Sequence, residues 1–274
     1  MFKNNNRLYK KLPKNVIKTN FSGLDFPFDP SWKRIGINLS GGADSALLTY
    51  LLCKIIKDNN FKTRVDIITY QRCWETRPWQ GYYAQQVYDK LFTMFSDIIE
   101  NRHLCYIPPE LEHGSIGNIV NNRSGDMIIV GSYNKFSAWH HDLDAVFNGT
   151  SMNPDDSRTD RMKSRDKSAV QGSLNDLWHY VKSVDTFFVH PFKFVKKDWI
   201  VAQYHLMDIL DLYNTTRSCE GDIRHHEAVK NVCSSFKDYE YGMHIPECGQ
   251  CWWCEERAWA NSRVDDMIKE INEL

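Results

Sequence analysis

Several familiar signals are missing from this sequence, and each absence narrows the reading. No stretch approaches the roughly 20 consecutive apolar residues that a bilayer-crossing helix needs, so no membrane partner is expected. There is almost no net charge: 34 Lys and Arg stand against 35 Asp and Glu, for a formal −1. No global basic field pulls the chain onto nucleic acid or acidic lipid, and nucleic acid is not expected as a direct partner. The opening residues, MFKNNNRLYKKLPKN, lack the apolar centre of a secretory signal. The expectation is a soluble, cytoplasmic protein. There is no Gly-Lys-Ser/Thr of a Walker loop and no GxGxxG dinucleotide fingerprint. Internal repeats and low-complexity tracts are absent as well.

What is present suits one large α/β domain with a small appendage. The chain has 274 residues, 42% of them apolar, enough to bury a sizeable core. Residues 1–30 are polar, with three prolines, and read as an N-terminal arm. Arg34–Leu39 is a short apolar run of the kind buried in a parallel sheet. Ala46–Ile56 has helical spacing, with Leu47, Leu48, Leu51, Leu52 and Ile55 on one stripe. Further strands are expected at Val65–Tyr70, Leu104–Ile107, Asp144–Phe147 and Phe187–Val189. Helices are expected at Tyr82–Ile99, Met127–His140, 166–182 and Lys197–Ile209, and 110–125 reads as loop. This alternation predicts a doubly wound parallel sheet with right-handed crossovers over residues 31–214. A cysteine-rich C-terminal region, 215–274, follows.

The first chemical motif is INLSGGADSALLTYLL, in the order strand, glycine turn, helix. Gly41 and Gly42 let the backbone take positive φ and approach a ligand closely. The free N–H groups of the turn and of the helix start, with the helix dipole, then favour a phosphate. Ser40 and Ser45 offer hydroxyls, and Ala43 completes the turn. Asp44 would repel phosphate, so it makes sense as a ligand for Mg²⁺. An ordinary capped turn is the bland alternative, but it does not need the whole pattern between a buried strand and an amphipathic helix. The segment Ser40–Ser45 resembles the SGGxDS signature of the PP-loop ATP pyrophosphatases. That resemblance implies an adenine-nucleotide alpha-hydrolase-like fold and ATP cleaved between its α and β phosphates, with adenylation of a substrate oxygen.

The second motif lies in the tail. Eight cysteines are present, and Cys219, Cys233, Cys248, Cys251 and Cys254 crowd the last quarter. In a reducing compartment such thiols are metal ligands sooner than disulfides. Cys248-Gly-Gln-Cys251-Trp-Trp-Cys254 places three thiolates on one tight turn, and tetrahedral zinc wants a fourth ligand. Cys219 and Cys233 are candidates for it, with His225, His226 and His244 weaker ones. A redox pair and an iron–sulfur cluster are the alternatives.

Together the two ends are similar to one family of that superfamily, the 7-cyano-7-deazaguanine synthases of queuosine biosynthesis. Its tail pairs a Ser-Cys motif with Cys-Gly-x-Cys-x-x-Cys-x-x-Arg, matched here by Ser218-Cys219 and by Cys248 through Arg257. The resemblance assigns Zn²⁺ to Cys219, Cys248, Cys251 and Cys254 and leaves Cys233 free. His190-Pro191-Phe192 with Lys197 matches a further family segment, and Tyr70-Gln71-Arg72 is similar to its Tyr-Gly-Gln-Arg. Two segments depart from the pattern. Only Arg123 carries over from Pro-x-Arg-Asn, and Met152-Asn153-Pro154-Asp155-Asp156 replaces Tyr-Pro-Asp-Cys. Both touch the acceptor side and spare the ATP side.

The resemblance implies an ATP-dependent ligase that takes a small-molecule carboxylate, 7-carboxy-7-deazaguanine, and ammonia. The carboxylate is adenylated, ammonia gives an amide, and a second activation gives the nitrile. Asp44, Lys197 and Arg123 are the candidate catalytic residues. Family members are commonly dimers, which makes a homodimer the assembly to expect. Each candidate has a plainer reading: Lys197 follows Lys193 and Lys196 in what could be a solvated run, and Arg123 could be a surface arginine. Trp74, Trp79, Tyr82 and Tyr83 read as core or lid residues, and His140-His141 as helix surface. Two competing functions remain: a tRNA-modifying PP-loop enzyme of thiolase or lysidine-ligase type, and a non-enzymatic ATP-binding zinc module.

Overall fold

The computed structural model describes residues 17–18, 24–72, 79–107, 125–152, 177–219 and 239–273. Its centre is a six-stranded sheet of β3 (Arg34–Asn38), β4 (Arg64–Arg72), β5 (Ile99–Ile107), β6 (Ala145–Phe147), β7 (Trp178–Val181) and β8 (Thr186–Val189). Two short strands, β1 (Ile17–Lys18) and β2 (Asp25–Phe26), pair with each other outside it. The helices are α1 (Ala43–Asp58), α2 (Gln80–Phe95), α3 (Gly125–His140), α4 (Lys197–Leu206), α5 (Leu210–Thr215), α6 (Trp252–Ser262) and α7 (Val264–Asn272). Across the sheet the order is β5-β4-β3-β6-β8-β7. Every neighbouring pair is parallel except β7 with β8. This is the expected doubly wound sheet, and its strand order reverses between β3 and β6. Open α/β sheets bind ligands at such a reversal, outside the carboxyl ends of the strands.

The two faces of the sheet are covered differently. Ile35, Ile37, Val65, Ile67, Phe147 and Val189 are buried on the face that carries α1, α2 and α4. The apolar stripe of α1, Leu47 through Ile55, is fully buried there. Ile68, Tyr70, Leu143 and Val146 face α3 through its Ala138. Phe26 and Phe28, at the end of the polar lead-in, are fully buried in the main core, and Ala260 and Val264 of the tail join it too. The ends of the described chain therefore pack onto the central domain. Among the described residues no helix is long and apolar enough to cross a membrane.

Two elements differ from the sequence expectation. The helix expected over 82–99 stops at Phe95, and β5 begins at Ile99, five residues before the strand expected from Leu104. The stretch Glu100-Asn101-Arg102-His103 is polar because β5 is an edge strand with a single neighbour. Its polar side chains find local partners. Arg102 lies over the Tyr88 ring with its guanidinium carbon 4.7 Å from the centroid, and His103 Nε2 is 2.8 Å from Asp66 Oδ2. The second difference falls in the helix expected at 166–182. Residues 153–176 lie outside the described residues, but 178–181 are strand β7, antiparallel to β8. The turn that joins them ends at Asp185, whose positive φ of 50° suits a tight hairpin turn. The loop expected at 110–125 falls almost wholly outside the described residues.

The start of α1 is fixed from below by α4. The Tyr204 hydroxyl donates to the Ala43 carbonyl at 2.6 Å, and the ring is completely buried. Burial, with Asp44 nearby adding to it, pushes the phenol well above its ordinary range, so it remains a donor. Tyr204→Phe is expected to lower stability by about 1 kcal/mol, the usual net worth of one buried hydrogen bond whose acceptor keeps its helical partner. Urea unfolding measures this, and an unchanged midpoint would show that the bond contributes nothing.

Candidate functional site

The site grows from the turn between β3 and α1. Gly41 sits there at φ +81°, and a Cβ on it would lie 2.6 Å from the Ala84 backbone nitrogen of α2. Both facts demand glycine: the dihedral is one that side-chain-bearing residues rarely adopt, and α2 leaves no space. The turn is stapled from inside. The Ser45 hydroxyl donates to the Gly42 carbonyl at 3.0 Å and accepts from the Ser40 N–H at 3.1 Å. Ser45 is thus buried and engaged within the loop, while Ser40 is exposed. No side chain caps α1 at Gly42. Among the described residues no side-chain acceptor takes the N–H groups that open this 16-residue helix, an arrangement that suits an anion.

Asp44, in the first turn of α1, accepts from Lys197 Nζ at 2.5 Å and from the Ser151 hydroxyl at 3.3 Å. Lys197 is only 2% exposed, so it is not part of a solvated run with Lys193 and Lys196. Its second anionic neighbour is Glu256 Oε2 at 4.0 Å, from α6. A buried ammonium held between two carboxylates is a satisfied charge, positioned beside the loop. Ser151 reaches Asp44 because Gly149, after β6, passes close to the α1 backbone; a Cβ there would meet the Ser45 nitrogen at 3.0 Å. Arg123 lies outside the described residues, as do Cys73, Trp74, Asn153 through Asp156, His225, His226 and Cys233.

The tail supplies the second half. Cys219, Cys248, Cys251 and Cys254 are all buried, and their sulfurs lie within 4.8 Å of one another. Cys251 and Cys254 are 3.5 Å apart, while Cys248–Cys254 and Cys251–Cys219 are each 3.9 Å. Backbone N–H groups of Cys248 and Cys251 point at the sulfurs of Cys219 and Cys248, at 3.4 and 3.2 Å. The positive φ of Gly249, 67°, lets the chain turn tightly enough to bring three of the sulfurs together. The donor set and spacing fit one metal ion held by four thiolates.

Both halves open into one cleft, lined on the loop side by Ser40, Gly42, Asp44 and Lys197 and on the tail side by Ser218 and Cys219. The join is a main-chain bond: the Arg217 N–H donates to the Gly41 carbonyl at 2.9 Å. Asn38, at the end of β3, is 9% exposed and neither of its amide atoms has a partner. An orphaned buried amide at the ligand-binding edge of a sheet fits a site completed by a bound group.

Some functional neighbours escaped the sequence reading. Arg217 lines the cleft together with Trp79 and Tyr83. Its one sequence signal was adjacency to Ser218-Cys219. Glu256 was hidden inside the Cys-x-x-Arg end of the tail motif. Trp252 is buried, while Trp253 is half-buried and lines the cleft. His140 closes α3 at the surface, but His141 stacks on His103 with centroids 3.8 Å apart, against the buried Asp66. Asp66 is on β4 and His103 on the edge strand β5, and neither they nor His141 line the cleft.

No protein-family model and no curated protein matches the chain. Several solved structures are similar to it, three of them as follows. U34-tRNA thiolase NcsA from Methanococcus maripaludis, with its [4Fe-4S] cluster, is 10% identical over 88% of this chain and 72% of that one, with TM-score 0.45. Phosphoadenylyl-sulfate reductase from Candida auris, in a phosphate complex, is 13% identical over 69% and 80%, with TM-score 0.36. NAD⁺ synthetase from Burkholderia pseudomallei is 11% identical over 89% and 83%, with TM-score 0.36.

Gly41→Ala combines a strained dihedral with a backbone clash and is expected to destabilise by about 2–5 kcal/mol. A variant as stable to urea as the parent would mean that α2 and the loop separate easily.

Proposed function

We propose that the chain is an ATP-dependent ligase of the PP-loop pyrophosphatase type. It adenylates the carboxylate of 7-carboxy-7-deazaguanine or a related acid, aminates it with ammonia to an amide or nitrile, and releases pyrophosphate. The observation that carries this reading is one cleft shared by an uncapped SGGxDS loop, a buried lysine tied to its aspartate, and the Ser-Cys arm of a four-cysteine cage.

The loop N–H groups and the α1 dipole would hold the nucleotide's phosphates, and Asp44 would hold Mg²⁺. When bound, that ion offsets the charge of the polyphosphate and lowers the barrier to a carboxylate's approach. Lys197, fixed by Asp44 and Glu256, is placed to stabilise negative charge as it builds on the departing pyrophosphate. Arg123 keeps its proposed place on the acceptor side.

For the cage, Zn²⁺ is the reading that the spacing favours. A Zn–S bond of about 2.3 Å in a tetrahedron puts the sulfurs roughly 3.8 Å apart; three of the six pairs lie at 3.5–3.9 Å and all lie within 4.8 Å. A four-iron cube binds each cysteine to a different iron and needs a wider cage. Four thiolates leave no open position, so the ion's role is structural.

Asp44→Asn keeps an oxygen within reach of Lys197 but loses the anionic ligand. It is expected to abolish pyrophosphate release with the fold intact by circular dichroism. Release near the parent rate would take Asp44 out of the mechanism. The wild-type assay uses 7-carboxy-7-deazaguanine with ammonium, then other carboxylates and tRNA. Stimulation by tRNA instead of the acid would favour the tRNA-modifying reading.

Elemental analysis of anaerobically purified protein should give one zinc per chain. Cys251→Ser should lose it together with stability, and Cys233→Ser should keep it. Acidification should release the zinc as the thiolates take up protons. Iron in place of zinc, or a Cys233→Ser protein without metal, would overturn this assignment.

A further inference from the structure

The cleft contains a buried cation that no carboxylate among the described residues answers. Arg217 is 9% exposed. Its Nη1 donates to the Tyr83 hydroxyl at 3.3 Å and its Nη2 to the Pro246 carbonyl at 2.5 Å, while Nε has no partner. The guanidinium carbon lies 5.5 Å from the Trp79 ring centroid and 5.2 Å from that of Tyr83. No carboxylate of the described residues pairs with it. Lys197 in the same cleft has Asp44 and Glu256, whereas Arg257, which like Arg217 meets only neutral oxygens, those of Thr216 and Tyr213, is only half-buried. A desolvated guanidinium with only neutral acceptors is an unfavourable arrangement that a bound anion relieves. Each terminal nitrogen keeps a second N–H, and a planar pair of donors suits a carboxylate better than a single point contact would.

The phosphate end of the cleft already has its donors in the loop N–H groups and Lys197. Arg217 belongs to the other wall, beside Cys219, Trp79 and the half-buried Trp253. Trp79 is itself pinned there, its indole N–H donating to the Cys219 carbonyl at 3.3 Å. The cleft encloses about 110 Å³ between the two walls. We propose that Arg217 is the anion anchor of the acceptor subsite and takes the carboxylate of a planar aromatic acid, whose ring lies along Tyr83 and Trp253. The substrate class rests on the ligase reading above; the anchoring role rests on the unanswered charge.

The test is direct binding, with no turnover required. The full-length, metal-loaded protein is titrated by calorimetry with 7-carboxy-7-deazaguanine, with its neutral 7-amide, with a panel of other planar aromatic carboxylates, and with α,β-methylene-ATP. In Arg217→Gln the affinity for the acid should fall roughly 10- to 100-fold, as expected for loss of a charged hydrogen-bond partner. The affinities for the amide and for the ATP analogue should stay within about twofold, inside the scatter of a change that removes no contact. A merely structural role would weaken acid and amide alike. Equal losses for both, or a loss confined to the ATP analogue, would overturn the proposal and give the arginine to packing or to the nucleotide's phosphates.

If Arg217→Gln does not fold, Arg217→Lys and Tyr83→Phe carry the same comparison. The lysine keeps the charge without the fork, and the phenylalanine removes the hydroxyl that orients it. Each should weaken the acid more than the amide, and neither doing so would overturn the proposal. Should 7-carboxy-7-deazaguanine fail to bind while another planar acid binds in an Arg217-dependent way, the deazaguanine reading falls and the anchor stands. No binding by any acid of the panel overturns the anchor as well.

Discussion

Residue 41 has no room for a side chain, and much of the site follows from that. With hydrogen at this position, the α2 backbone closes to where a Cβ would be 2.6 Å from the Ala84 nitrogen. The same residue turns the chain at φ +81° and offers its carbonyl to the Arg217 N–H at 2.9 Å. One glycine therefore joins three stretches distant in sequence: the loop after β3, the start of α2, and the Ser-Cys arm of the tail. A side chain there would push Tyr83 away from the loop and loosen Arg217 in the same movement. The close approach at Gly41 is also what brings the Arg217 side of the cleft against the loop.

A second constraint acts from the far side of the loop. Lys197 is buried at the first position of α4, and it is tolerated there because carboxylates from α1 and α6 flank it. Removing either one would leave a charge in a poorly solvated place. The arrangement thus fixes the spacing of three helices as well as the position of a cation. Tyr204, two turns along α4, reinforces the same contact through the Ala43 carbonyl. The loop is gripped by α2 through shape, by α4 through charge, and by the tail through a main-chain bond. Its conformation is set before any ligand arrives, which is the condition for electrostatic stabilisation without reorganisation.

How much of this was legible in the sequence depended on whether a property is local. The strand RIGIN, the α1 stripe and the glycine turn announce themselves within 20 residues, because buried strands, amphipathic helices and tight turns impose local patterns. Three of the cysteines were legible through their spacing, while Cys219 came only from the resemblance of Ser218-Cys219 to a family motif, with Cys233 an open alternative. Only the second half of β5 was legible, because the side chains that make the first half of an edge strand acceptable, Arg102 over Tyr88 and His103 on Asp66, find their partners from other elements. β7 was misread for a related reason: a four-residue strand earns its state from pairing with β8, not from its own periodicity. Lys197 looked like one lysine of a run, and only the fold separates it from Lys193 and Lys196. Arg217 carried no motif of its own, and its meaning lies in what is missing around it.

The cage and the loop are coupled through three consecutive residues. Cys219 is one corner of the sulfur cluster, and Arg217 is bonded to the loop, with Ser218 between them over Gly42. A segment that short has little freedom to absorb movement, so the position of the sulfur corner is transmitted to the loop almost directly. Trp79 tightens the link by reaching the Cys219 carbonyl from the start of α2. A metal in the cage would then do more than hold a tail in place. It would set the distance between the wall that carries Arg217 and the wall that carries Lys197, and with it the space in which an acid and a nucleotide can meet. A closed four-thiolate site can influence chemistry in this way without touching a reactant, by fixing the geometry that proximity catalysis requires.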